Sequence, residues 1–213
     1  MTELDPAVDV FPAPQEPTDE ARKRLKPGER RVQILQALAT MLEQPGAERV
    51  TTAALAARLQ VSEAALYRHF ASKAQMYEGL IEFIEQSVFS LVNQIVTREG
   101  DGAAQAARLI TVLLQFGERN PGMARVMAGD ALVFENERLQ QRMNQLFDKL
   151  EATLRQVLRG AAQAGGSDTP AADAQVRASV LTAFAMGRLQ RYARSGFRRL
   201  PTEHLEAGLA AML

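Results

Sequence analysis

The sequence predicts an all-α protein of about nine helices, in which three short helices precede a larger helical domain. Three observations predict this fold class. Apolar residues recur at spacings of three and four from Gly28 onward, no stretch alternates apolar and polar residues, and β-branched residues are scattered. The chain has 213 residues, which is long enough for one large domain or two small ones, with a sizeable hydrophobic core.

The first three helices have clear start and stop signals. The first is predicted over residues 29–43, with its apolar face on one side, and the Pro45-Gly46 pair ends it. Thr51 or Thr52 can cap a second short helix, because a threonine hydroxyl accepts a hydrogen bond from the first turn. After a tight turn at residues 60–61, Ser62 caps a third helix that is predicted to reach Phe70.

Six further helices follow a boundary near Ser72, which caps a long fourth helix that is predicted to reach Thr97. Glycine- and proline-containing breaks separate the helices after it. The seventh carries apolar residues close to a heptad spacing from Leu139 to Val157. The later helices are predicted over residues 103–118, 123–128, 130–162, 172–195 and 202–213. The domains are therefore a tail and basic arm at 1–27, a small module at 28–72, and a helical domain at 73–213.

Composition argues against an enzyme and against a bound cofactor or metal. The chain has no cysteine and only two histidines, His69 and His204, and it lacks a phosphate-cradling glycine loop and metal-ligand spacing. Paired carboxylates such as Glu82 with Glu85, and Glu135 with Glu137, are interpreted as solvated faces. The N-terminus resembles no secretory signal, and no run approaches the roughly 18 apolar residues of a membrane span, so we expect a cytoplasmic protein.

The net charge of zero conceals a strong asymmetry. Residues 1–21 carry six acidic side chains and no basic one, whereas residues 22–73 carry ten Lys and Arg against four Glu. A basic segment confined to one part of a neutral chain indicates a local site for a polyanion. A solvated helix face remains an alternative, and the proline-bearing tail with its arm at residues 22–24 is predicted to be disordered.

The second and third helices together have the pattern of a helix-turn-helix. Ala56 is small enough for the helices to cross closely, and Val61 is an apolar residue for the turn between them. Ser62, Ala64 and Ala65 are short, so the N-terminus of the third helix could enter a DNA major groove. Backbone N–H groups at that end would also favour phosphate.

Residues 51–56, 61–70 and 72–73 resemble the recognition segment of the TetR family. The resemblance implies a homodimer that binds double-stranded palindromic DNA, with phosphate contacts from Tyr67, His69 and Lys73. A structural histidine, a half-buried tyrosine and simple capping threonines are the alternatives at individual positions. The candidate DNA-binding residues are Arg30, Arg31, Thr51, Thr52, Ser62, Glu63, Ala64, Ala65, Tyr67, Arg68, His69 and Lys73.

A more extensive resemblance covers most of residues 30–213 and points to the nucleoid occlusion factors within that family. The segments that carry it are 34–36, 61–70, 80–85, 116–122, 144–147 and 154–159. It implies a nucleoid-associated dimer that binds the C-terminal tail of the division protein FtsZ between the fourth and fifth helices. The matching residues are Phe83, Arg119 and Asn120, whereas Leu91 and Gln115 depart from the pattern, where a basic residue and a glycine are expected.

The residues assigned to the FtsZ site and to the dimer interface could instead have purely structural roles. Phe83 could be ordinary core, and residues 119–122 could be a helix stop with a surface arginine. The family resemblance places helices eight and nine in a four-helix dimer interface, although some of their apolar residues could be intrachain core. The interface candidates are Val180, Leu181, Phe184, Leu189, Leu205 and Leu209.

The rival function is a TetR-like repressor controlled by a small molecule in its C-terminal domain. Such pockets are apolar and lined by aromatic side chains, and this chain has few aromatic residues to offer. Phe184, Met186, Met127 and Phe134 could line such a pocket.

Overall fold

The computed structural model describes residues 28–44, 49–98 and 100–213, and these residues form helices without any strand. The all-α prediction is confirmed. The predicted tail and arm at 1–27, the predicted stop at Pro45-Gly46, and Glu99 lie outside the described residues. In chain order the helices are α1 Glu29–Leu42, α2 Thr52–Arg58, α3 Glu63–Tyr67, α4 Lys73–Arg98, α5 Gly102–Arg119, α6 Pro121–Met127, a 3-10 turn Asp130–Leu132, α7 Glu137–Ala164, α8 Pro170–Arg194 and α9 Leu205–Ala210.

Three predicted helices were too long, and local structure accounts for two of the differences. α7 begins at Glu137 because the Asn136 side chain accepts a hydrogen bond from the backbone N–H of Arg138 at 3.1 Å, which caps the helix there. α9 begins only after His204, whose left-handed backbone (φ 53°) is incompatible with a continuous helix. The third, α3, ends at Tyr67, before the predicted Phe70.

The first three helices pack around a small apolar centre. Leu38, Leu55, Leu66 and Phe70 are each 1 % exposed, so every helix contributes to one core. The turn between α2 and α3 depends on Gln60, which adopts a left-handed backbone (φ 54°) that a residue with a Cβ rarely takes. That turn sets α3 across α2 and leaves the outer face of α3 uncovered.

The C-terminal domain is organised around α5, α7 and α8. The predicted heptad seam of α7 is its buried face, since Leu139, Met143, Leu146, Leu150, Leu154 and Val157 are all buried. The short connection at 165–169 makes α7 and α8 an antiparallel hairpin. Near that connection the Gln175 side chain of α8 accepts a hydrogen bond from Arg155 of α7 at 2.7 Å and donates one to Glu151 of α7 at 3.2 Å.

The small N-terminal module is attached to the larger domain by close packing as well as by α4. A Cβ added to Gly122 of α6 would lie 2.2 Å from the carbonyl oxygen of Ala39, so α1 and α6 meet backbone against backbone. Arg125 of α6 also donates to the backbone oxygen of Gln44 at 3.2 Å. The buried core is continuous across the proposed boundary at residue 72, and the domain division stays a prediction.

Candidate nucleic-acid interface

The exposed surface of the helix-turn-helix is formed mainly by α3 and the residues that flank it. Tyr67 is 44 % exposed, and Glu63, Ala64, Arg68 and His69 are also exposed. Their neighbours Leu66 and Phe70 are buried, as the sequence predicted for core positions. The third helix therefore presents short side chains at its N-terminus. Tyr67 is exposed at its C-terminal end, and Arg68 and His69 follow it.

Side-chain caps set the start of α2 and of α3. The Thr51 hydroxyl accepts from the backbone N–H of Ala54, and the Ser62 hydroxyl accepts from that of Ala65, both at 3.2 Å. The predicted caps at Thr51 and Ser62 are confirmed. Each cap holds a helix start with backbone N–H groups facing outward, which is the geometry that favours an anion.

Thr52 and Glu63 form a hydrogen bond between the two helices of the motif. The Thr52 hydroxyl donates to a Glu63 carboxylate oxygen at 2.6 Å, although the two residues are 11 positions apart. This bond limits the rotamers of Glu63 at the first position of α3. The second carboxylate oxygen of Glu63 is left to accept from a ligand at the exposed helix end.

Two arginines of α1 lie beside this surface, and both are engaged within the chain. Arg31 donates to the backbone oxygen of His69, and its guanidinium lies 4.1 Å from the centre of the Phe70 ring. Arg30 donates to the Gln33 side chain at 3.1 Å. Arg31 thus links the start of α1 to the residues that follow α3, which places its positive charge at the edge of the α3 surface.

Lys73, which the family resemblance makes a phosphate anchor, has an acidic partner within the chain. Its ammonium lies 2.5 Å from a carboxylate oxygen of Glu135, and the two side chains are 25 % and 8 % exposed. Tyr77 lies beneath the pair, where burial first and the Glu135 charge second raise the pKa of its hydroxyl. The prediction that Glu135 belongs to a solvated face was wrong, because the connection before α7 folds back onto the start of α4.

Further ion pairs join α4 to α7 along the same seam. Arg138 pairs with Glu78 at 2.7 Å, and Arg142 holds Glu85 through two nitrogens at 3.1 and 2.5 Å. The hydrogen bond to Glu85 is the main reason that the pKa of Arg142 is raised. Glu85, like Glu135, was wrongly interpreted as part of a solvated face, because its partner is 57 residues away along the chain.

The residues predicted to bind the FtsZ tail lie where α4 and α5 pack together. Phe83 is partly buried with its ring 6.3 Å from that of Phe116, and Arg119 ends α5 with a partly exposed side chain. Asn120 is only 4 % exposed, and its amide donates to the backbone oxygen of Phe116 at 2.9 Å. In this conformation Asn120 therefore stabilises the end of α5 from beneath. Leu91 and Gln115 are buried as well.

A shallow open depression runs along the start of α5. Successive turns of the helix bring Ala104, Arg108 and Thr111 onto the same face as Arg119. Gln115, which lies on that face between Thr111 and Arg119, is buried, so the depression is confined to the start of α5. It is lined by Gly100, Asp101, Ala104, Ala107, Arg108 and Thr111.

The helices proposed for dimerisation divide their apolar residues between core and surface. Leu181, Leu189, Leu205 and Leu209 are buried within the chain, which confirms the alternative of intrachain core for them. Val180 is 47 % exposed, and Phe184 is half-buried beneath Arg188. Sequence reasoning missed the other apolar and small members of the exposed α8 face, which helical spacing from Val180 would have found. They are Val176, Ala183 and Gly187.

The residues suggested for a ligand pocket do not surround one cavity. Phe134 is 65 % exposed in the connection before α7, Met186 is 42 % exposed on α8, and Met127 is buried in the core. In the part of the chain that the structure describes, no three His, Asp or Glu side chains are grouped as a metal site would require. Among the same residues, no helix is both long enough and apolar enough to cross a membrane.

Known proteins resemble this chain over nearly all of the described structure. Residues 34–80 match the bacterial regulatory proteins of the tetR family, and residues 101–212 match the SlmA-like form of the tetracyclin repressor-like C-terminal domain. Nucleoid occlusion factor SlmA of Vibrio vulnificus is 50 % identical over 182 residues, which cover 85 % of this chain and 92 % of that protein. The chain belongs to the SlmA family of nucleoid occlusion factors. SlmA of Shewanella pealeana is 52 % identical over 82 % of this chain and 88 % of its own.

Solved structures confirm the TetR-like fold of this SlmA-family chain. A TetR-like transcriptional regulator from Rhodococcus sp. RHA1 superposes with a TM-score of 0.69 at 17 % identity, covering 88 % of this chain and 97 % of that one. The FadR regulator of Bacillus subtilis in complex with stearoyl-CoA superposes with a TM-score of 0.66 at 14 % identity, covering 84 % and 95 %. At such identities the likeness extends to the fold alone, so the SlmA relatives carry the family assignment.

Proposed function

We propose that the chain is a cytoplasmic, nucleoid-associated homodimer that binds palindromic chromosomal DNA and, when bound, antagonises FtsZ ring assembly over the nucleoid. The observation that carries the DNA-binding half is the exposed α3 surface, with short residues at the helix start and Tyr67, Arg68 and His69 toward its end. We propose no enzymatic activity and no cofactor. The nucleoid occlusion half is supported by the family of its relatives.

Residues 28–72 act as the DNA reader in this proposal. The N-terminus of α3 enters the major groove, where Ala64 and Ala65 allow close approach to base edges. Glu63, held by Thr52, can accept a hydrogen bond from the amino group of a cytosine. Thr51, Tyr67, His69 and the α1 residues Arg30 and Arg31 flank the groove and contact phosphates, which position the reader without selecting sequence.

Lys73 completes the phosphate contacts only after it leaves Glu135. Lys73→Ala should weaken binding to every duplex alike and flatten the salt dependence by about 0.9 for each phosphate that is no longer neutralised. Glu135→Gln should tighten binding severalfold, because the lysine is then available without breaking an ion pair. Fluorescence anisotropy with a duplex selected from a random palindromic library, at several salt concentrations, measures both effects.

Lys73→Ala and Glu135→Gln should change the affinity for DNA in opposite directions. Glu137→Gln serves as the matched control, since Glu137 is exposed two residues away at the start of α7. If Lys73→Ala leaves the salt dependence unchanged, the assignment of Lys73 to phosphate is wrong. If Glu135→Gln weakens binding, the ion pair helps the reader to adopt its binding geometry and does not compete with DNA.

The α4–α5 surface is the proposed site for the FtsZ tail. Phe83 offers a partly exposed aromatic ring, and Arg119 offers a positive charge at the end of the same seam. An extended acidic-and-apolar segment could lie along this surface, with Asn120 holding the end of α5 in place beneath it. The seam is on the helix that starts at Lys73, which gives the DNA and FtsZ sites a shared element.

Arg119→Ala should reduce binding of a labelled FtsZ C-terminal peptide by about tenfold or more, because a charge-assisted hydrogen bond contributes roughly 1.5–3 kcal/mol. DNA affinity should stay at the level of the unmodified protein. Arg98→Ala, at the exposed end of α4, is the control for a general loss of positive charge. Peptide anisotropy with and without the selected duplex is the measurement.

The outcomes of that experiment separate the two candidate functions. Equal losses of peptide and DNA binding would indicate misfolding of the variant. Absence of peptide binding by the unmodified protein, with and without DNA, would refute the FtsZ proposal. A TetR-like repressor controlled by a small molecule would then take its place.

A further inference from the structure

A dense arginine cluster lies at the C-terminal end of α8 and in the loop that follows it. Residues 188–199 contain five arginines and no acidic residue. Arg194 is the last residue of α8, and Arg198 and Arg199 follow in the next loop; all three are exposed. We call these three residues the α8 arginine cluster.

The charge of this cluster is not balanced within the described chain. The ion pair nearby joins Arg191 to Glu203 at 3.6 Å, and no described carboxylate pairs with the cluster itself. Burial first, and then the Arg191 charge, lower the pKa of Arg188, while Glu203 opposes them. A helix C-terminus favours cations near its last carbonyl groups: Arg194 lies in the last turn of α8, and Arg198 Nε donates to the backbone oxygen of Ser195 at 2.9 Å. The end of α8 therefore accounts for Arg194 and Arg198 but not for Arg199.

The loop that carries the cluster is held in one conformation. The Ser195 hydroxyl accepts from the backbone N–H of Arg198 at 3.1 Å and of Arg199 at 2.9 Å. Phe197 has a left-handed backbone (φ 63°), which is disfavoured for a residue with a Cβ and needs support from packing. Its ring supplies that support by lying 5.1 Å from the Tyr192 ring and 5.1 Å from the Arg125 guanidinium.

The cluster lies at the end of the domain that adjoins the proposed reader. Because α7 and α8 are antiparallel, the end of α8 lies beside the start of α7. Arg125 links the two parts directly, since it stacks on Phe197 and donates to Gln44 at the end of α1. Tyr192 donates to the backbone oxygen of Glu118 at 3.1 Å and anchors the end of α8 to the same region.

We propose that the α8 arginine cluster is a second, sequence-independent DNA-binding surface, which neutralises phosphates of the duplex segment between the two half-sites. The inference rests on the proposed function, in particular on dimerisation through the exposed face of α8. That interface brings the clusters of both protomers toward the dyad. There the two clusters would face the phosphate backbone of the DNA between the half-sites. They would either contact it or lie within the Debye screening length of about 8–10 Å.

The test compares salt dependence between two variants of equal charge. The first carries Arg194→Gln, Arg198→Gln and Arg199→Gln; the control carries Lys149→Gln, Arg155→Gln and Arg159→Gln, exposed on the outer half of α7. Anisotropy titrations of the selected palindromic duplex at four salt concentrations give the slope of log affinity against log salt. The cluster variant should flatten this slope by about two to five units per dimer, at about 0.9 for each phosphate left without its arginine. The control should change it by less than about one.

Equal slopes in the two variants would refute the proposal while leaving the reader intact. Failure of the unmodified protein to bind any duplex would instead refute the proposed function. If the triple variant melts early, Arg199→Gln alone replaces it, with an expected change of about two units per dimer. A synthetic peptide of residues 1–21 is a further probe, and its binding to the cluster without any change in slope would assign the surface to an acidic segment of this chain.

Discussion

Val180→Glu should convert the proposed dimer into monomers and lower the affinity for a palindromic duplex by at least about a hundredfold. Val180 is 47 % exposed on the outer face of α8, beside Val176 at 63 %. In a two-fold interface the same patch meets itself, so each introduced carboxylate would be desolvated near its symmetry mate. Two linked readers bind with an avidity that monomers lack, and that difference sets the size of the effect. Analytical ultracentrifugation and anisotropy measure the two consequences.

Val96→Glu is the matched control for this substitution. Val96 is 36 % exposed at the end of α4, away from the α8 face, so the same change there should leave both assembly and DNA affinity intact. A Val180→Glu protein that sediments as a dimer would rule out the exposed face of α8 as the interface. A monomer that retains full affinity would show that one reader is sufficient.

Gly122→Ala should lower the free energy of unfolding by about 1–3 kcal/mol or more. The added Cβ would lie 2.2 Å from the Ala39 carbonyl oxygen and 2.9 Å from the Ala39 carbonyl carbon, so backbone must move. That movement would also disturb the backbone hydrogen bond from Gly122 to Glu43, which partly offsets the rise in the pKa of Glu43 caused by burial. For a chain of this size the melting temperature should fall by roughly 2–4 °C per kcal/mol.

Gly160→Ala should change the free energy of unfolding in the opposite direction. Gly160 is exposed within α7, and an added Cβ meets nothing within 4 Å. Alanine there should raise stability by about 0.5–1 kcal/mol through helix propensity. Thermal melts of the two variants should therefore shift in opposite directions, and a Gly122→Ala protein as stable as the unmodified one would mean that α1 and α6 are not in backbone contact.

Much of the reader could be predicted because its signals are local. Capping at Thr51 and Ser62, burial of Leu66 and Phe70, and the seam of α7 all depend on neighbours within about one or two helical turns. The structure of the proposed FtsZ site was harder to predict from the sequence. Asn120 bonds to Phe116, only four residues away, but its burial depends on how α5 and α6 meet, which the residues around it do not indicate.

The sequence by itself determined the all-α class, the helix-turn-helix with its caps, and the family, since periodicity, short-range hydrogen bonds and residue identity are properties of the chain. Tertiary structure decided which charges pair and which apolar faces stay exposed. Lys73 meets Glu135 across 62 residues, and α8 buries Leu181 while exposing Val180. The physical reason is that ion pairs form, and apolar faces lose their water, only where packing brings distant segments together.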